Sequence, residues 1–166
     1  MDRGTQYCPD VPRVRALALA VIRRPRTGQL FVDEMVEPGT GQVFHRPAGG
    51  GIEFGERAAQ TLERELLEEY ALAITVGRQL GVLESHFTYA GRAGHEIVLV
   101  HEARLTDPAD YEPERRPCLD QPHVCGVWRS PQETAIPLYP AGLAGLLEMD
   151  APADERAGRP AATLHR

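Results

Sequence analysis

Hydrophobic and polar positions along the chain follow two periods. Residues 14–22 are nearly all apolar, without a break from Ala16 to Ile22, and have the length of a buried strand rather than a membrane span. Pro25 and Gly28 mark a turn over residues 23–28. Residues 29–37 read as the next strand, forming a hairpin with the first, and residues 42–46 as a short strand after another turn. Residues 47–55 contain four glycines and read as a loop. From Glu56 to Tyr70 the period lengthens: Ala59, Leu62, Leu66 and Tyr70 recur at steps of three and four, the stripe of an amphipathic helix. Residues 74–89 return to strand, interrupted near Gly77 or Gly81. A glycine-containing turn at 90–94 leads to a strand over 95–105. A polar, proline-containing loop (106–122), a last strand (124–129) and a last helix (139–149) complete the pattern. The order of strands, helix, strands, helix predicts one α/β domain over residues 13–149, a mixed sheet with helices on its faces. Residues 1–12 and 150–166 carry little apolar periodicity and are expected to be flexible ends.

Charge and composition narrow the partners. The net charge of −6, with no basic stripe, argues against a nucleic-acid polymer. It leaves a single nucleotide open, because metal ions can neutralise a diphosphate locally. The first twelve residues contain Asp2 and Arg3 and no apolar stretch of the kind a signal peptide needs, so the expected compartment is the cytoplasm, away from membranes. Three cysteines, Cys8, Cys118 and Cys125, are widely spaced without a CxxC pair; they read as free thiols, not as a zinc site or disulfide framework.

The candidate chemistry lies in the glycine loop and its helix. At the angular step of an α-helix, Glu68 and Glu69 fall about 60° and about 40° to either side of Glu65, so all three carboxylates share one face. Like charges at these spacings destabilise a bare helix, and no Lys or Arg stands four residues on to offset them. A divalent cation on that face resolves the conflict, and an oxygen-only ligand set suits Mg²⁺ or Mn²⁺. The glycines before the helix allow close backbone approach, with a carbonyl for a metal or amides for phosphate oxygens. Taken singly, an acidic helix face or a glycine-rich loop is commonly just a solvated surface or a turn. Together they fit hydrolysis of a phosphoanhydride.

This stretch resembles the Nudix box. Gly50 is followed after five residues by Glu56, and after seven more by Arg64-Glu65-Leu66-Leu67-Glu68-Glu69-Tyr70-Ala71-Leu72. Every fixed position matches except Ala71, which stands where the pattern has glycine. The resemblance implies a Nudix-type α/β/α sandwich with a mixed central sheet. It implies Mg²⁺ or Mn²⁺ as cofactor, held by Glu65, Glu68 and Glu69, one of which helps to deprotonate the attacking water. It implies that Arg64 orients Glu65, that Glu56 supports the site electrostatically or through bound water, and that the carbonyl of Gly49 is a further ligand. A homodimer is expected from the resemblance alone. Ala71 at a helix end costs about 1 kcal/mol if it takes the left-handed conformation, but no ligand is lost.

Such enzymes often add a carboxylate from beyond the box; Asp120 is the first candidate, then Glu96, with Glu112 and Glu114 also open. Arg46, Gly50 and Tyr89 are candidate substrate contacts: a cation for phosphate, a close backbone approach, and a ring beside an exposed turn. Phe44 and Trp128 read as core, and no two histidines stand at helical metal-ligand spacing, although His86 and His95 border the cleft if their strands do. The expected activity is cleavage of the pyrophosphate bond of a nucleoside diphosphate linked to another group: a nucleoside triphosphate, nucleotide sugar, ADP-ribose or similar. A non-catalytic nucleotide-binding module on the same fold is the alternative, and the full glutamate set speaks against it. A prenyl diphosphate isomerase needs a cysteine and a glutamate on opposite faces of its substrate. No cysteine lies near the box or in an obviously site-facing strand, so that reading ranks last.

Overall fold

The computed structural model describes residues 12–150; the expected flexible ends lie almost wholly outside that range, as do Cys8 and His165. The chain runs β1 (Arg15–Ile22), β2 (Leu30–Val36), β3 (Val43–Pro47), β4 (Gly49–Gly51), α1 (Ala58–Tyr70), β5 (Ile74–Tyr89) and β6 (Arg92–Leu105). A 3₁₀ turn (Pro108–Tyr111), β7 (Arg115–Pro117), β8 (Cys125–Arg129) and α2 (Leu143–Asp150) follow. The strands form two four-stranded sheets, ordered β4-β1-β6-β5 and β3-β2-β8-β7. The first is mixed, with β1 parallel to β6 and antiparallel to β4.

β1 explains the layering. Its alanines Ala18 and Ala20 face Leu62, Leu66 and Tyr70 of α1, together with Phe31 and Trp128 from the second sheet. Its Leu17, Leu19 and Val21 face the opposite way, toward Leu30, Val32, Val127 and Leu143 of α2. Small side chains under α1 let the helix approach the sheet closely, and the period of two places a core on each side of one strand. Leu66 is fully buried at the centre of this contact. Leu66→Ala is expected to lower stability by about 2–5 kcal/mol, read as the shift of a urea unfolding midpoint at constant slope.

Four expectations are corrected. β1 and β2 do not make a hairpin: the turn reverses the chain, with Arg24 N–H on the Gln29 carbonyl at 2.7 Å, but only an isolated bridge joins Arg23 to Leu30. A strand buried on both faces needs neighbours on both edges, and β1 finds them in β4 and β6, leaving β2 to the other sheet. The glycine loop contains a strand, β4, in register with Leu17–Leu19. The helix begins at Ala58 rather than Glu56, with Arg57 as its extended N-cap. The expected loop over residues 106–122 also holds the 3₁₀ turn and β7; elsewhere the boundaries shift by a few residues, and the interruption expected in β5 appears as two register shifts between Val76 and Gly81. At the end of α1, Ala71 takes the left-handed conformation (φ 54°, ψ 33°) that the usual glycine would take. Its N–H bonds the Leu67 carbonyl at 3.0 Å, and that of Leu72 bonds Leu66 at 3.1 Å, so the helix end is closed despite the substitution.

Candidate active site

The glycines are required by contacts, not only by turns. Gly49 has φ 145°, and a Cβ there would overlap the carbonyl oxygen of Ala18 on β1. A Cβ on Gly50 would overlap the carboxylate of Glu65. Strand β4 is thus pressed between β1 and α1, and the Glu65 carboxylate rests on bare backbone.

Arg64 fastens the loop to the helix. Its Nε and Nη2 donate to the two oxygens of Glu56 at 2.7 and 2.9 Å, a bidentate fork. Nη1 donates to Glu65 at 2.9 Å and to Glu68 at 3.3 Å, and Nη2 also reaches the Gly51 carbonyl at 3.2 Å. Glu56 further accepts from the Thr61 hydroxyl at 2.8 Å and from the Glu53 N–H at 3.2 Å. Arg64, then Thr61, hold its carboxyl at about 2, below the ordinary 4.5. A carboxylate depressed in the folded state contributes stability in full above the unfolded value and loses it as pH falls toward 2. The wild-type urea midpoint is therefore expected to fall more steeply than that of Glu56→Gln between about pH 5 and about pH 2.5. Equal slopes would show that the clamp adds nothing to folding.

Glu69 is the buried member of the set. One oxygen accepts from Gln121 Nε2 at 3.2 Å, while Oε2 is buried with no hydrogen-bond partner. Burial first, then the charges of Asp33, Glu65 and Asp120, push its carboxyl up to about 8, against an opposing pull from Arg46. Asp33, also buried, accepts the Tyr70 hydroxyl at 2.6 Å and is raised by burial, with Arg46 directly across the β2–β3 ladder as its counter-charge. Ligand atoms of Glu69, Cys118 and Asp120 lie within 4.8 Å of one another.

Gathered carboxylates, an orphaned buried oxygen and a glycine cradle under Glu65 fit a divalent cation, and the carboxylates fit Mg²⁺ or Mn²⁺. Of the candidates for a further carboxylate, Asp120 comes beside Glu69. Two other extra-carboxylate candidates are occupied elsewhere: Glu96 is buried and faces Arg15 at 3.8 Å, and Glu114 pairs with Arg24 at 2.7 Å; Glu112 meets the same arginine through its backbone carbonyl. Arg46 faces the site, and its Nε is buried without a partner. Tyr89 is half-buried, edge-on to Phe44 at 6.2 Å; Phe44 meets Tyr139 at 5.6 Å. Phe44 and Arg46 share one face of β3, so this aromatic cluster adjoins the charged cleft.

Sequence reasoning missed Asp33, Tyr70 as its partner, Gln121 and Cys118. Asp33 left a signal: a lone acid on the inward period of β2, between Phe31 and Met35. Cys118 corrects the view that no cysteine approaches the box. Its thiol donates to Asp120 at 2.9 Å and is pushed up to about 11, chiefly by burial. Its sulfur lies within 4.8 Å of a Glu69 carboxylate oxygen, too close for a prenyl chain to pass between them, as the isomerase arrangement would need.

A family model described as NUDIX domain matches residues 13–148, and the chain belongs to that family. The solution structure of the Escherichia coli ORF135 protein is 28% identical, covering 91% of this chain and 96% of that one, with a TM-score of 0.56. A MutT NUDIX hydrolase from Burkholderia pseudomallei is 20% identical (81% and 97% covered, TM-score 0.59). An ADP-ribose pyrophosphatase from Streptococcus suis is 15% identical (84% and 93% covered, TM-score 0.54). No curated protein matches. No helix among the described residues is long and apolar enough to cross a membrane.

Proposed function

We propose that the protein is a divalent-metal-dependent hydrolase that cleaves the pyrophosphate bond of a nucleoside diphosphate linked to another group. The observation that carries this reading is the buried Glu69, with its partnerless oxygen, beside a Glu65 carboxylate seated on Gly50 and clamped by Arg64. Glu65, Glu68, Glu69, Asp120 and the Gly49 carbonyl would hold Mg²⁺ or Mn²⁺. The bound cation supplies charge neutralisation of the diphosphate and a more acidic water. Arg64, tied to Glu56, fixes the direction of Glu65. Arg46 offers its guanidinium to a phosphate oxygen, which relieves its unpartnered Nε. The Phe44, Tyr89 and Tyr139 rings border the same face and offer a wall for a nucleobase. The two free thiols Cys118 and Cys125 support the cytoplasm as its compartment.

The test is phosphate or nucleotide release from a panel of nucleoside triphosphates, nucleotide sugars, ADP-ribose and dinucleoside polyphosphates, with Mg²⁺, with Mn²⁺ and with chelator. The reading expects cleavage of at least one class that the chelator abolishes. Nucleotide binding without cleavage of any class would favour the non-catalytic module instead.

A further inference from the structure

The β5–β6 hairpin carries a second cluster of metal-ligating groups, away from the box. The antiparallel register sets His86 directly opposite His95, and Glu84, two residues before His86, projects from the same face. The two imidazole rings lie 3.9 Å apart, tilted by 30°. One carboxylate oxygen, Glu84 Oε1, lies 2.9 Å from Nε2 of His95 and 3.5 Å from Nε2 of His86. Three potential ligand atoms therefore converge on one point, all within 4.8 Å of one another.

A bare surface does not require this convergence. Two cross-strand imidazoles repel each other once both are charged, and a single carboxylate oxygen must then serve two donors. A cation at the centre removes both conflicts. Tetrahedral Zn²⁺ has bonds of about 2.0–2.2 Å to nitrogen and oxygen, which sets ligand-to-ligand edges at about 3.3–3.5 Å. The two carboxylate–imidazole separations, 2.9 and 3.5 Å, bracket that edge, and all three ligand atoms lie within 4.8 Å of one another. The ligands stand on paired strands, not on a loop, which holds them in place before the ion arrives. The donor set also differs in kind from that of the box: two imidazoles and one carboxylate suit Zn²⁺ and its neighbours, whereas Mg²⁺ takes oxygen.

The geometry points to Glu84, His86 and His95 as a surface site for a first-row transition-metal ion such as Zn²⁺, separate from the carboxylates of the box. The ion ties β5 to β6 near the hairpin tip. The His86 and Glu84 side chains are 67% and 60% exposed, which leaves the fourth position open to water or another donor. Linear spacing cannot reveal such a site, because its two histidines are nine residues apart and meet only through strand pairing.

The experiment is calorimetric titration of untagged full-length protein with ZnCl₂ in excess Mg²⁺, which keeps the box carboxylates occupied. Wild type is compared with His86→Ala, His95→Ala and Cys118→Ser, the last because Glu69, Cys118 and Asp120 are a rival set. The expected result is one zinc ion bound by wild type and by Cys118→Ser. Each histidine variant should weaken binding at least about 100-fold, beyond what loss of an outer partner costs. Both histidines are exposed or nearly so, and circular dichroism should show the variants folded. Zinc binding unchanged in the histidine variants, lost in Cys118→Ser, or absent from wild type would overturn the assignment.

Discussion

Glu68→Gln is expected to lower metal-dependent turnover about 10²–10⁴-fold while leaving the unfolding midpoint almost unchanged. The split follows from where the side chain sits. Glu68 is 59% exposed and approaches Arg64, one helical turn back, at 3.3 Å. A surface pair of that kind is worth a few tenths of a kcal/mol, and replacing the carboxylate also relieves repulsion from Glu65. Folding therefore has little to lose. The site has more to lose, because an amide retains the shape but not the charge for a cation or the basicity to take a proton. Steady-state rates at saturating substrate over a range of Mg²⁺ concentrations separate the two losses. A variant rescued by more Mg²⁺ has lost affinity, whereas one that plateaus low has lost the chemical step. Full activity at ordinary Mg²⁺ would remove Glu68 from the site.

What could be read from the sequence was whatever one element carries by itself. The stripe Leu62, Leu66, Tyr70 and the face Glu65, Glu68, Glu69 belong to a single helix, and both appear as expected. Pairing between elements was not legible. β1 shows an unbroken apolar run because both of its faces are buried, and such a run names no neighbour; β2 was assigned to it by proximity alone. β4 was hidden because strand patterns are written in side chains, and Gly49–Gly51 has none; its identity lies in backbone contact with Ala18 and Glu65. Asp33 is explained only by other elements: Arg46 opposite it on β3 and the Tyr70 hydroxyl of α1. Cys118 reaches Glu69 only because the segment after β7 folds back, with the Leu119 N–H on the Glu69 carbonyl at 2.8 Å. In each case the missing information was a long-range contact.

Arg64→Lys keeps the charge and removes the fork, and for that reason it separates two accounts of the clamp. If Arg64 acted only as a positive charge amid acids, lysine would serve. The geometry says otherwise: three nitrogens of one planar group reach Glu56 twice, Glu65, Glu68 and the Gly51 carbonyl. An ammonium is a compact charge with three donors on a flexible stem and cannot reproduce two parallel bonds to Glu56 while holding Glu65. Glu65 should then wander from its seat on Gly50. Outer partners that orient metal-binding side chains are worth about 10–100-fold in affinity or activity, and a loss of that size is expected here. The loss should appear first as a higher Mg²⁺ requirement, since in the proposed function Glu65 is a metal ligand and Arg64, which bonds it, is not itself placed against the substrate. Arg64→Met, which removes the charge as well, should lose more, leaving Glu56, Glu65 and Glu68 uncompensated around the buried Glu69. Arg64→Lys with the wild-type rate and Mg²⁺ dependence would show that charge alone suffices and that the fork is incidental.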